Sequence, residues 1–274
     1  STEGAIDEPP SISTTIVNLL KQGLLQEALE KFRQCTAEPR ITLDESVASA
    51  VLMACYVYAL YENNALDEAQ YHFEQFQEVI RNAALLDYMA LAYIAQARIL
   101  DARGLAAHAQ ECLNEVEAVG YASNWPRLLR VISWERVRRA IVRGEIDRAQ
   151  AIASRISADP PPRPEGWLPF CEDSEGHAVG RIRLAIAGSR PVDALQRLAE
   201  ELPVAIKQER VRRQIKLHTL EGMAQRVAGD VEASHAAMRR ALELAAPGGF
   251  LRTFTEEGPE VFALIRDVYE AATE

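Results

Sequence analysis

The chain has 274 residues, 48% of them hydrophobic and 26% charged, proportions that give every helix an apolar stripe to bury and allow a packed core. A formal net charge of -10, with pI near 5.2, argues against sequence-independent binding to nucleic acid by the surface as a whole, because phosphates demand a basic footprint. Cys35, Cys55, Cys112 and Cys171 have no CxxC or framework spacing and fit reduced thiols, and the polar, acidic first ten residues lack the basic start and apolar run of a signal peptide. A cytoplasmic protein without disulfides is the expectation.

In chain order, helical patterning predicts segments at 13–22 and 25–35, after which Pro39 breaks the chain. Thr42 with Glu45 reads as a capping box opening a helix that runs to Glu62. Its apolar run, 47–61, falls short of the roughly 20 residues that span a bilayer and reads as a buried helix. Segments at 66–82, 87–103 and 105–119 follow. Asn124, Trp125 and Pro126 supply a cap and a first-turn proline for a helix reaching Arg143, with a partner at 146–157. The proline-rich stretch 159–166 cannot be helical, and the loop 159–170, carrying Trp167 and Phe170, is either a plain connector or a lid. Segments at 172–187, 192–201, 204–227 and 231–245 complete the series. A last helix at 259–272, with Val261, Phe262, Ile265, Val268 and Tyr269 on one stripe, is suited to cap an apolar end.

Through this series runs a repeat. Gly23, Asn64, Gly104, Gly144, Ser189 and Gly229 stand 40 to 45 residues apart, and five positions after each comes Ala28, Ala69, Ala109, Ala149, Ala194 or Ser234. The anchor turns one helix into the next, and the small residue lies where two helices press to about 8 to 10 Å. Phe32, Phe73, Leu113, Leu198 and Met238 follow four positions later, with Ala153 the exception. Such a period predicts an all-α solenoid of stacked helix pairs, forming one continuous domain over 1–274.

No phosphate loop, GxGxxG, HExxH, GxSxG or paired CxxC is present, so no catalysis and no cofactor are expected. His108 and Cys112 are two of the four ligands that a structural zinc site wants, and Cys171 with His177 lacks an orienting acid.

The run Ala241, Leu242, Glu243, Leu244, Ala245, then Gly249, Arg252, Phe254, Glu256, Glu257 and Gly258, resembles the motif that closes the sensor region of MalT-type regulators, the large ATP-binding LuxR-like transcriptional activators. The run 183–188, and Gly229 and Asp230 ahead of Ser234, resemble the same family; earlier units match only the generic repeat. The resemblance implies a tetratricopeptide-like right-handed superhelix of about six helix pairs with a C-terminal capping helix. It implies an effector-sensing and assembly role, with a small-molecule inducer or regulatory protein as partner and self-association in the full-length protein. In that family an ATP-binding module precedes the array and a helix-turn-helix follows it; both are absent from this sequence, which reads as a fragment, so ATP and DNA are expected to concern only those regions.

On the tetratricopeptide template, residues ten, six and three before each anchor face the concave groove. Six before stand Tyr58, Arg98, Arg138 and Arg183; ten before, Trp134; three before, Tyr61, Asp101 and Arg226. This basic and aromatic lining suits an anionic or polar ligand. Alternatively, the arginines pair with acids such as Asp101, Glu135 and Glu172 and hold the units together, and the aromatics fill space. A peptide-gripping scaffold unrelated to transcription is the other functional reading.

Overall fold

A computed structural model describes residues 11–37, 46–156 and 169–273. All six anchors adopt the left-handed backbone expected of them, with φ between +54° and +85°. At each, the amide one residue later donates to the carbonyl five residues before it, as in Leu24 N to Leu19 O and Leu105 N to Leu100 O, both 2.9 Å. This Schellman bond satisfies carbonyls that the ending helix would otherwise orphan. Ala28, Ala69, Ala109, Ala149 and Ala194 are fully buried and Ser234 nearly so, as close helix approach requires.

The pairs are α1 (Ile12–Lys21) with α2 (Leu25–Ala37), α3 (Val47–Glu62) with α4 (Leu66–Ala83), α5 (Leu86–Ala102) with α6 (Ala106–Ala122), α7 (Pro126–Val142) with α8 (Ile146–Ala153), α9 (His177–Ala187) with α10 (Pro191–Lys207), and α11 (Val211–Ala228) with α12 (Val231–Ala245). A short α13 (Arg252–Thr255) and a longer α14 (Pro259–Thr273) follow. The described residues contain helices and no strand, in a tetratricopeptide-like solenoid.

Several boundaries differ from the sequence reading. The helix expected at 204–227 begins at Val211, because α10 continues over Pro203 to Lys207 and the turn falls at Glu209, in a left-handed conformation at φ +51°. Residues 172–176 are not helix α9 but belong to a 3-10 turn, Phe170–Asp173, and the bends after it. The helix expected over 146–157 ends at Ala153. Asn124 does not cap α7: it supplies a left-handed turn at φ +52°, and Trp125 N bonds back to Gly120 O. On α14 the buried stripe is Val261, Leu264 and Val268, while Phe262 and Tyr269 are exposed. The Thr42–Glu45 capping box and all of the 159–170 loop except Pro169 and Phe170 lie outside the described residues. Within them, Ser46 caps α3, its hydroxyl accepting from Ser49 N at 3.2 Å.

The first helices stack on one another in chain order, α1 on α3, α3 on α5, α5 on α7, α7 on α9 and α9 on α11. The row curves until α11 meets α1: a Cβ placed on Gly23 would lie 2.6 Å from Val211 Cγ1. The Gln26 side chain donates to Gly248 O at 3.2 Å, tying the first unit to the turn after the last. Helices in such a row have neighbours on nearly every side, which is why α3 is apolar all round and buried from Ser49 to Glu62. No helix among the described residues is long and apolar enough to cross a membrane.

Two segments of the chain enter the space enclosed by the row. Residues 169–176 enter at the end where α5, α7 and α11 begin. Phe170 packs on Tyr88 with ring centroids 5.5 Å apart, the Cys171 thiol donates to Asp87 at 3.1 Å, and Arg210 pairs with Asp173 at 2.7 Å. A second segment, 250–258, enters where α3, α5 and α7 end, and Leu251 N donates to Glu62 O at 3.0 Å. We call it the tongue.

Candidate functional site

The tongue is the stretch that carries the recognised closing motif, and its two adjacent carboxylates meet the arginine ladder. Arg98 Nη1 donates to Glu256 Oε2 at 2.5 Å and Arg98 Nη2 to Glu135 Oε2 at 2.6 Å. Arg138 engages Glu135 Oε1 through Nη2 at 2.7 Å and donates to the Glu256 carbonyl at 2.6 Å. Arg183 grips Glu257 with Nε and Nη2, at 2.6 and 2.7 Å, and reaches Glu175 at 2.5 Å. Lys216 donates to Glu257 at 2.8 Å, to Thr253 O at 3.0 Å and to Glu256. The ladder of three equivalent guanidinium groups therefore faces inward together, as the template predicts, and is met there by acids of its own chain.

All these groups are buried. Burial opposes the charge on Arg98, yet Glu135 and Glu256 outweigh it and hold the guanidinium well above its ordinary pKa. Burial also works against Glu135 and Glu257, but Arg138 and Arg98 hold the first at about 2, and Arg183 and Lys216 hold the second at about 2. Glu256 likewise lies well below the usual range, under Arg98, Lys216 and Arg138. Glu62 differs: burial, then Glu256, pushes its carboxyl up to about 8. Tyr58 donates to it at 2.7 Å, and Arg212, stacked 4.1 Å above the Tyr58 ring, lies 3.2 Å away.

The remaining candidates divide. Tyr61 belongs to the network, its hydroxyl donating to Glu256 at 2.9 Å. Trp134 is fully buried core; it stands edge-on to His177, and Gly180 is the only residue type that fits against it, since an added Cβ would meet its ring at 2.2 Å. Asp101 lies at the rim, bound by Arg139 Nε at 2.6 Å and Arg143 Nη2 at 2.8 Å. Arg226 is apart from the others, half exposed and paired with Asp267 of α14 at 2.8 Å.

Between the tongue and the ends of α5 and α7 an open basin of about 280 Å³ remains. Tyr61, Arg98, Asp101 and Arg138, four of the eight candidates, line it together with Arg139, Arg143, Arg252 and Thr255. The sequence reading missed Glu175, Lys216, Glu256 and Glu257 as partners of the ladder, and Arg139, Arg143 and Arg252 as rim cations. The available signal was the Glu256–Glu257 pair, two adjacent acids in a stretch otherwise rich in apolar residues. A wider hollow of about 560 Å³ lies between α6, α7 and α8, but its Arg136 and Arg148 are matched by Glu117 and Glu145 and its wall ends at Ile156, next to residues outside the description.

No curated protein matches the chain. The family profile described as the MalT-like TPR region matches residues 10–271, which takes in every helix pair, the tongue and nearly all of α14. The chain belongs to the MalT-like TPR family.

Proposed function

We propose that this chain is the effector-sensing and assembly array of a MalT-type, ATP-binding LuxR-family transcriptional activator, without catalysis of its own, and that its effector binds at the tongue end of the inner channel. One observation supports this reading above others. The segment carrying the closing motif folds back into the channel, and an opening in the predicted groove lies against it. A ligand seated there would touch the tongue and the ends of α5 and α7 at once, so its binding energy would bear on how firmly the C-terminal end is held. Sites that shift a conformational equilibrium need this differential contact.

A peptide gripped along the channel, the alternative, would have to expel residues 169–176 and 250–258 and leave at least Arg183, Lys216 and Arg210 buried without their carboxylates. That favours a small effector, or a regulatory protein reading the tongue from outside.

The test is a thermal-shift screen of metabolites on this chain, because a ligand that binds only the folded form raises the melting temperature by mass action. Hits are then added to the longer polypeptide, expected to carry a phosphate loop upstream and a helix-turn-helix downstream, with ATP, and its assembly is followed by sedimentation. A ligand that stabilises the array and promotes assembly supports the proposal; an array indifferent to all metabolites but recovered with a bound peptide would overturn it.

A further inference from the structure

Resting on that reading, the rim of the basin says what kind of ligand it suits. Two guanidinium groups, those of Arg139 and Arg143, share the single carboxylate of Asp101. Arg252 lies over the Tyr61 ring, 5.3 Å from its centroid, and its Nε–H is buried with no hydrogen-bond acceptor among the described residues; no carboxylate there pairs with it. Three rim cations thus face one anion, in a protein whose overall charge is strongly negative. Deeper in, Arg98, Arg138, Arg183 and Lys216 stand against four carboxyl groups, those of Glu135, Glu175, Glu256 and Glu257.

We infer that the basin binds a small dianion, a phosphate monoester or a dicarboxylate, whose charge bridges Arg252 on the tongue to Arg139 and Arg143 at the end of α7. Two surplus positive charges match two negative ones, and guanidinium forks pair with phosphate and carboxylate oxygens in two-pronged geometry. The volume, about 280 Å³, falls just below the span typical of pockets for drug-sized ligands and so fits a compact molecule. Ala102, Ala106 and Val142 give it an apolar wall. Binding gives the Arg252 guanidinium the anionic partner it lacks among the described residues and fastens the tongue to the ends of the inner helices.

The probes are inorganic phosphate at about pH 8, where it is mainly dianionic, and succinate, with acetate as the monoanion and glycerol as the neutral control. All are titrated by calorimetry at one ionic strength made up with chloride, because exposed charges are screened by salt. The expected result is saturable binding of phosphate or succinate, at least about tenfold weaker in Arg252→Gln and in Arg143→Gln and unchanged in Arg103→Gln, whose residue pairs with Asp67 away from the basin. The Arg252 Nε–H resonance should move on binding, and amide exchange in residues 250–258 should slow. If Arg252→Gln fails to fold, Arg143→Gln, at the partly exposed rim, still decides the matter. No saturable binding, or equal binding by all variants, overturns the inference. An uncharged metabolite seated at the same mouth while both dianions fail would sink the dianion and leave the effector reading standing. A dianion that binds here yet leaves assembly of the longer protein unchanged would do the reverse.

Discussion

The two ends of the inner channel are closed by segments of similar length and opposite character. At the end where the inner helices begin, residues 169–176 enter with an apolar front, Phe170 and Cys171, beside the ion pairs of Arg210 with Asp173 and Arg127 with Asp87, while Glu175 reaches inward to Arg98 and Arg183. At the other end the tongue enters with two carboxylates among four cations and leaves an open basin whose three rim arginines, Arg139, Arg143 and Arg252, have the one carboxylate of Asp101 among them. One end is a seal. The other is a seal with a receptor built into its edge, and the difference locates the region where an external molecule can alter the balance.

The largest effects should come from unpairing the tongue. Glu256→Ala leaves Arg98 and Lys216 short of a carboxylate in a buried site, and a loss of about 3–5 kcal/mol in urea unfolding is expected, with Glu257→Ala comparable. Arg138→Ala removes one of the two arginines that hold Glu135 and the donor to the Glu256 carbonyl, so it should cost stability and not merely ligand affinity. Values below about 1 kcal/mol would mean that the tongue is only loosely seated.

Acid should separate the two ends. Glu135 and Glu257 have folded pKa values near 2, below the ordinary 4.5, so their stabilisation is complete above pH 4.5 and is lost as pH falls toward 2. Asp173 and Glu175 are raised by burial, which outweighs Arg210 at the first and Arg183 at the second, so their contribution runs the other way, full below the ordinary carboxylate range and lost as pH rises. Glu62, near 8, likewise weakens the fold as pH climbs from 4.5 toward 8. Amide exchange followed against pH should therefore show the tongue loosening first in acid; simultaneous loosening of residues 169–176 would erase the contrast.

Tyr61→Phe removes one hydroxyl donor to Glu256 and should cost about 1–2 kcal/mol by thermal melting. Smallest of all, Arg143→Ala breaks a partly exposed pair and should cost no more than about 1 kcal/mol, so a larger loss would show the rim to be structural and not a free receptor.

What was legible in the sequence is what is local. Each anchor had to accept a left-handed backbone and each small residue had to admit a neighbouring helix, and both demands repeat at fixed spacing, so Gly23 through Gly229 and Ala28 through Ser234 marked every pair. The inward direction of Arg98, Arg138 and Arg183 followed from the same register. Their partners did not, because Glu256 meets Arg98 across 158 positions and no periodicity links a tongue to the channel it enters. The break expected between 201 and 204 is absent: α10 carries Pro203 in its interior and the turn falls instead at Glu209, where no glycine or asparagine announces it. Arg226 shared the template position of Tyr61 and Asp101 yet belongs to the outer edge, since α14 lies against its helix and supplies Asp267.

Gly23 rests against Val211 and Gln26 holds the carbonyl of Gly248, so the first and last helix pairs of this array are fastened to each other. Open repeat proteins melt piecemeal, each unit answering only to its neighbours. A ring of units fastened first to last gives that independence up, so heat or denaturant should dissolve the whole in one cooperative step, and a molecule that loosens the fastening would be felt five units away, across the 222 positions that separate Gln26 from Gly248, at the same moment.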